Sequence, residues 1–239
     1  MVRRFCLAFT ALFFIHALSP ALAGMDEGIS AYNAKNYDVA FQELLPQAEK
    51  GSALAQSLVA GLYLNGHGTK TNPEEALRFY TLAAEKGHAP AQNNLGMMYL
   101  TGNGVPENHL EAARWFRPAA EQGLAAAQTN LGVLYRDGKG VPPDYAEAVK
   151  WFTLAAEQGE PWGQHYLGVM YYKGAGVPRD WVAAYMWFIL AEKQGNEVAS
   201  RSRHILYVNR LSRSGIKEAW RRANEWIENH PELADRFTK

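Results

Sequence analysis

Residues 125–159 read AAAQTNLGVLYRDGKGVPPDYAEAVKWFTLAAEQG, a helix, a glycine loop and a second helix within one short stretch. The first helix, Ala125 to Arg136, carries Leu131, Gly132 and Tyr135 at helical spacing and holds no proline. It stops at Gly138-Lys139-Gly140, where glycine supplies the positive φ of a helix C-terminus and tight turn. After Val141, Pro142-Pro143-Asp144 opens the second helix with Asp144 as its N-cap. Ala148, Trp151, Phe152 and Ala155 mark its buried stripe, and Gly159 ends it. Gly132 and Ala148 are expected at the helix crossing, since larger side chains would force the axes beyond the roughly 8–10 Å of close packing. Trp151 and Tyr135 are expected to fill the space alongside.

The same text recurs every 36 residues. Gln56, Gln92, Gln128 and Gln164 share that spacing, as do Tyr63, Tyr99, Tyr135 and Tyr171, and Ala76, Ala112, Ala148 and Ala184. The glycine pairs 66/68, 102/104, 138/140 and 174/176 fall in the same register, and Gly87, Gly123, Gly159 and Gly195 close the units. One helical pair buries too little apolar surface to fold alone, so the units must stack. The expected fold class is an all-α, right-handed solenoid of helix-turn-helix repeats with a cap at each end.

The pattern running from Ala127 through Leu131-Gly132, Tyr135, Gly138, Gly140-Val141, Asp144, Ala148 and Trp151-Phe152 to Gly159 resembles the Sel-1-like repeat of the tetratricopeptide-like superfamily. The resemblance covers four units, residues 53–88, 89–124, 125–160 and 161–196. The first departs most, with Ala60 for the glycine, Thr69 for the valine and Phe79 for the tryptophan. Upstream, residues 24–52 are expected to form a shorter tetratricopeptide-like capping hairpin, because Ala40, Ala48 and Gly51 keep the register without the glycine loop. Downstream, residues 197–239 are expected to form capping helices, with Ile216, Ala219, Trp220, Ala223 and Ile227 as an apolar stripe and Ser212 or Ser214 at the helix start. Trp220 and Ile227 are expected beside Trp187 and Ile189.

Residues 1–23 read differently. Arg3 and Arg4 precede an apolar run from Phe5 to Ile15, and Ala21-Leu22-Ala23 offers the small residues that signal peptidase accepts. A cleaved signal peptide is expected, hence an exported chain in the periplasm or outside the cell, with no integral membrane segment after cleavage. Cleavage removes Cys6, the one cysteine of the sequence, which excludes a disulfide scaffold and a cysteine zinc site. With 48% apolar and 12% aromatic residues across 239, the chain has the composition of a folded globular protein.

Basic and acidic residues number 24 each, and loss of the leader leaves a net charge of −2. Nucleic-acid binding is not expected of an exported chain with that balance. The charge is uneven, however: Arg201 to Arg222 holds seven basic residues against Glu218 alone. This stretch reads as a solvated end cap, or as a docking surface for an anionic partner or lipid.

Chemistry has little to stand on. Ser214-Gly215-Ile216-Lys217 matches the Ser-x-x-Lys of penicillin-recognising enzymes, but its companion motifs are missing and the serine sits at a helix start. His67, His88, His109, His165, His204 and His230 show no metal-binding spacing, and the Gly-x-Gly-Val loops lack the lysine of a phosphate loop. No catalytic residue, metal or cofactor is expected.

Within each first helix, some positions point away from the face of Leu131, Gly132 and Tyr135. These are Asn93, Met97, Leu100 and Thr101 in the second unit, Thr129, Val133, Arg136 and Asp137 in the third, and His165, Val169, Tyr172 and Lys173 in the fourth. They are expected to line a concave face that binds another protein, with Tyr172 as anchor; alternatively, tight curvature buries them against the next first helix. The resemblance implies a scaffold or regulatory adaptor, because secreted bacterial relatives serve near envelope sensors or cell-wall machinery. A rival expectation is an envelope enzyme acting on peptidoglycan or β-lactams, since some cysteine-rich relatives are linked to β-lactams.

Overall fold

The structure, a computed structural model, describes residues 20–237, and the expected leader up to residue 19 lies outside the described residues. Among the described residues there are twelve α-helices, one short 3-10 helix and no strand. Helices α1 (Pro20–Asn33) and α2 (Tyr37–Glu49) form a hairpin. Four pairs follow: α3 (Ala53–Asn65) with α4 (Pro73–Glu85), α5 (Ala89–Thr101) with α6 (His109–Glu121), α7 (Ala125–Asp137) with α8 (Tyr145–Glu157), and α9 (Pro161–Lys173) with α10 (Trp181–Lys193). Then come α11 (Glu197–Asn209), α12 (Arg213–Glu228) and the 3-10 helix (Pro231–Phe237). Each helix through α11 packs on the one before it in sequence, so the chain is an all-α solenoid.

In the second, third and fourth pairs the crossing is set by a glycine facing an aromatic ring. A Cβ on Gly132 would lie 2.7 Å from Phe152, and Gly96 and Gly168 stand in the same relation to Phe116 and Phe188 at 2.7 and 2.6 Å. Phe152, fully buried, therefore fills the space above Gly132 that sequence reasoning gave to Trp151. Trp151 is buried as well, but its indole nitrogen has no hydrogen-bond partner and Lys150 stands over its ring.

The loop between the helices is closed by its own polar groups. Gly138 ends α7 in the left-handed conformation, and its N–H donates to Leu134 O. The Asp144 N–H donates to Tyr135 O at 2.9 Å, while its carboxylate accepts from Ala146 and Glu147 at 2.9 and 3.0 Å, capping α8. Gly140, also at positive φ, has another task. A Cβ there would lie 2.2 Å from His109 O, the backbone at the start of the previous unit's second helix. The loop thus docks backwards onto its neighbour.

A second backward contact is polar. Gln128, buried at the start of α7, donates through Nε2 to Ala120 O at the end of α6 (3.2 Å). Its Oε1 accepts from Gln158 at the end of α8 (2.8 Å). The relay repeats as Gln122 to Gln92 to Ala84 and as Gln194 to Gln164 to Ala156. In the first unit, Lys86 takes the place of the donor glutamine and reaches Gln56 at 3.2 Å.

At the C-terminal end α11 begins like another first helix, with Asn196 capping it through Ala199 N–H. Among the described residues no second helix packs back on α11 to complete a pair. Helix α12 packs on α10 instead, bringing Trp226 to Trp187 (ring centroids 6.0 Å) and leaving Trp220 38% exposed. Trp226 therefore holds the place sequence reasoning gave to Trp220, while Ile227 does pack into the same core. The 3-10 helix then reaches back along the second helices, where Arg236 donates to Gln158 O at 3.4 Å and Leu233 covers Gly159.

Two glycines at positive φ separate backbone strain from steric docking. Gly123, at φ 89°, has open space where a Cβ would go, whereas Gly140, at φ 71°, does not. Gly123→Val should cost about 1–3 kcal/mol from strain alone, and Gly140→Val clearly more. Equal losses in urea unfolding would show that the loop does not dock as described.

Candidate functional site

The first helices touch not only their own partners but one another. Helix α7 packs directly on α9, Asn130 donates to Asn93 of α5 at 3.0 Å, and the Thr129 hydroxyl donates to Glu160, the N-cap of α9, at 2.8 Å. The face that these helices share carries the residues singled out from sequence, and the structure gives them different surroundings.

Thr129 and His165 are buried, each 5% exposed. Leu100, Thr129 and Val133 line one open pocket of about 380 Å³, together with Ala126, Asn130, Glu160, Trp162 and Tyr166. Val169, Tyr172 and Lys173 line a second of about 210 Å³ with Phe188, Ser202 and Ile205. Asn93 is half-buried and tied to Asn130 and Asn94, Met97 lies against the neighbouring unit's groove beside Tyr80 and Asn94, and the Thr101 hydroxyl donates to Met97 O at 2.9 Å. Arg136 bridges two units, its guanidinium 4.7 Å from the centre of the Tyr166 ring while Asp137 holds it by two hydrogen bonds at 2.6 and 2.9 Å. That guanidinium keeps the Asp137 carboxyl below its ordinary pKa.

Sequence reasoning missed Glu160, Trp162 and Tyr166. Trp162 is 45% exposed, and its ring lies 5.9 Å from Tyr166 and edge-on to His165. The spacing of Trp162, Tyr166 and Val169 at i, i+4 and i+7 traces a second stripe on α9, beside the one occupied by the repeat's recurring residues. A search confined to recurring positions passes over it, because the counterparts of Trp162 are Ala126 and Pro90.

The motifs considered for chemistry resolve into structure. Ser212 caps α12 by accepting from Gly215 N–H at 3.2 Å, and Ser214 bonds to Ser212 at 2.9 Å. Among the described residues no group of three or more His, Cys, Asp or Glu side chains gathers as a metal site, and no helix is long and apolar enough to cross a membrane. Three of the seven basic residues of the stretch are ion-paired within the fold: Arg203 joins Glu192 and the Tyr185 hydroxyl, Arg221 joins Glu218 and Glu225, and Arg222 joins Glu218.

Comparison with known families settles the kinship. The Sel1 repeat pattern matches residues 53–88, 89–124, 125–160 and 163–196, more than half of the chain. The chain belongs to the Sel1 repeat family. Among solved structures, this Sel1 repeat protein is similar to c5321, a protective antigen present in uropathogenic Escherichia coli strains and displaying an SLR fold, at 38% identity and a TM-score of 0.69. That match takes in 80% of this chain but 40% of the antigen. A Sel1 repeat protein from Oxalobacter formigenes is similar at 35% identity and a TM-score of 0.69, over 86% of this chain and 83% of that one. The immunity protein Pa5087 from Pseudomonas aeruginosa, at 21% identity and a TM-score of 0.53 over 93% and 86%, shares the fold. No curated protein matches. Sel1 repeats generally serve as scaffolds for protein–protein interaction.

His165 gives the site a pH signature. Burial, with Arg136 adding to it, pushes its pKa down to about 4 from 6.5, and its Nδ1 has no hydrogen-bond partner. Between those two values the unfolded chain binds the proton and the folded one does not, so stability is complete above pH 6.5 and falls as pH drops toward 4. The loss should reach at most about 3 kcal/mol. His165→Phe should flatten unfolding free energy across this window, and an unchanged slope would assign the acid sensitivity elsewhere.

Proposed function

We propose that this Sel1 repeat protein is an exported scaffold or regulatory adaptor that binds a cell-envelope protein on the concave face formed by its first helices. The observation that carries the reading is the pair of open, mainly apolar pockets on that face, lined by Leu100, Val133, Trp162 and Tyr166 in one and by Val169, Tyr172 and Ile205 in the other. Half-buried aromatic residues in such pockets make effective anchors, because they lose little freedom on binding and bury large areas. Export is supported by the basic start, apolar run and Ala21-Leu22-Ala23 of the leader. The likeness to a protective antigen accords with a place outside the cytoplasm.

A photo-crosslinking residue at Val133 or Tyr172 of the full-length chain, expressed in its own cells, should join a defined envelope protein. The same residue at Leu154, exposed on α8, should not. With that partner purified, Tyr172→Ala and Arg136→Ala should each weaken binding by about 1–3 kcal/mol, with the melting curve nearly unchanged. Unaltered binding by both variants would move attention to the C-terminal segment. Recovery of the chain from the cytoplasm with its leader intact would overturn export.

A further inference from the structure

We infer that the pocket shared by α5, α7 and α9 receives a lysine or arginine side chain of the partner, an inference that rests on the concave-face reading above. Glu160 is one of the residues that line the pocket. One of its oxygens, Oε2, accepts from the Thr129 hydroxyl at 2.8 Å and from the Gly163 N–H, which fixes the carboxylate in place. The other, Oε1, has no hydrogen-bond partner among the described residues. Glu160 is also the one ionisable carboxylate or amine among the pocket's lining residues.

The walls suit a long cationic side chain. Leu100, Ala126 and Val133 offer aliphatic surface for a methylene stem. Trp162 and Tyr166, their rings tilted 32° to each other at 5.9 Å, offer π-faces to its head. The Arg136 guanidinium already over Tyr166 is paired with Asp137, and Glu160 carries the one charge among the residues that line the pocket.

Other occupants fit less well. A purely apolar side chain would cover Glu160 and strip its free oxygen of water without replacing the hydrogen bond. An acidic one would meet like charge. A cation satisfies the oxygen, and charge-assisted hydrogen bonds are the stronger kind.

The test uses the full mature chain and the capped peptide acetyl-Ala-Lys-Ala-amide, with arginine, norleucine and glutamate versions of its central residue. The readout is the indole N–H resonance of Trp162, assigned by its disappearance in Trp162→Phe. The lysine and arginine peptides should shift it saturably and bind at least about fivefold more tightly than norleucine, and added salt should weaken them. Glu160→Gln keeps an acceptor for Thr129 and Gly163 and should remove that preference. Norleucine binding as tightly as lysine, glutamate binding more tightly, or no shift with any peptide would overturn the cation site. If Glu160→Gln melts earlier than the parent, the peptide series on the parent chain decides alone. The two readings fail separately: crosslinking through Val133 and Tyr172 to a partner whose basic residues prove dispensable overturns the cation site and leaves the concave face standing. A saturable lysine response with no crosslinked protein does the reverse.

Discussion

A glutamine carboxamide sealed away from water needs a partner for both its ends, since an unpaired buried polar group costs on the order of 1–3 kcal/mol. In this fold neither partner lies in the glutamine's own helix. Gln128 gives its proton to the unit before it and takes one from the end of its own second helix, and Gln92 and Gln164 do the same. An isolated unit would leave the amide without its acceptor, so stacking is required by polar satisfaction as well as by apolar burial. Lys86 shows that the requirement is for a donor and not for glutamine itself, because an ammonium closes the relay onto Gln56.

What could be read from sequence was whatever the chain encodes locally and repeats. The period, the loop glycines, the Asp144 cap and the helix ends all depend on residues close in sequence, and they stand in the structure where the spacing put them. The glutamines were visible as a recurrence, but their role was not, since Gln128 bonds to Ala120 of the unit before. The choice between Phe152 and Trp151 for the space above Gly132 turns on one helical position, a rotation of about 100° that apolar pattern alone does not fix. Helix α12 was legible as an amphipathic helix, yet which of two tryptophans it would bury depends on its turning to α10. Glu160, Trp162 and Tyr166 escaped notice for the opposite reason: the period that exposed the fold drew attention to recurring residues, and a specific pocket is made from those that do not recur.

Each first helix therefore carries two independent messages. One stripe, with Leu131, Gly132 and Leu134 buried, is the same in kind from unit to unit and fixes the backbone. The other changes from asparagines on α5 and α7 to aromatic rings on α9, as Asn94 and Asn130 give way to Tyr166 at the same register. The second stripe changes its residue types while the glycine-to-ring crossing stays the same, which is how one scaffold serves many recognitions. The charged groups follow the same division, with half of the six arginines of the C-terminal stretch spent on internal pairs.

The glycine loop and the glutamine relay both reach back toward the N-terminus, which gives the stack a polarity. Gly68, Gly140 and Gly176 each sit on the backbone that opens the preceding second helix. Every unit thus docks onto the one before it by the same two contacts, and such a pattern has no internal reason to stop. Termination here falls to α11, which takes up the register of a first helix but receives no hairpin partner, leaving Tyr207 55% exposed at the site where Tyr171 and Tyr135 are covered in their own units. The regular stacking is interrupted at a single place, where α12 abandons the register and folds back along the helices before it.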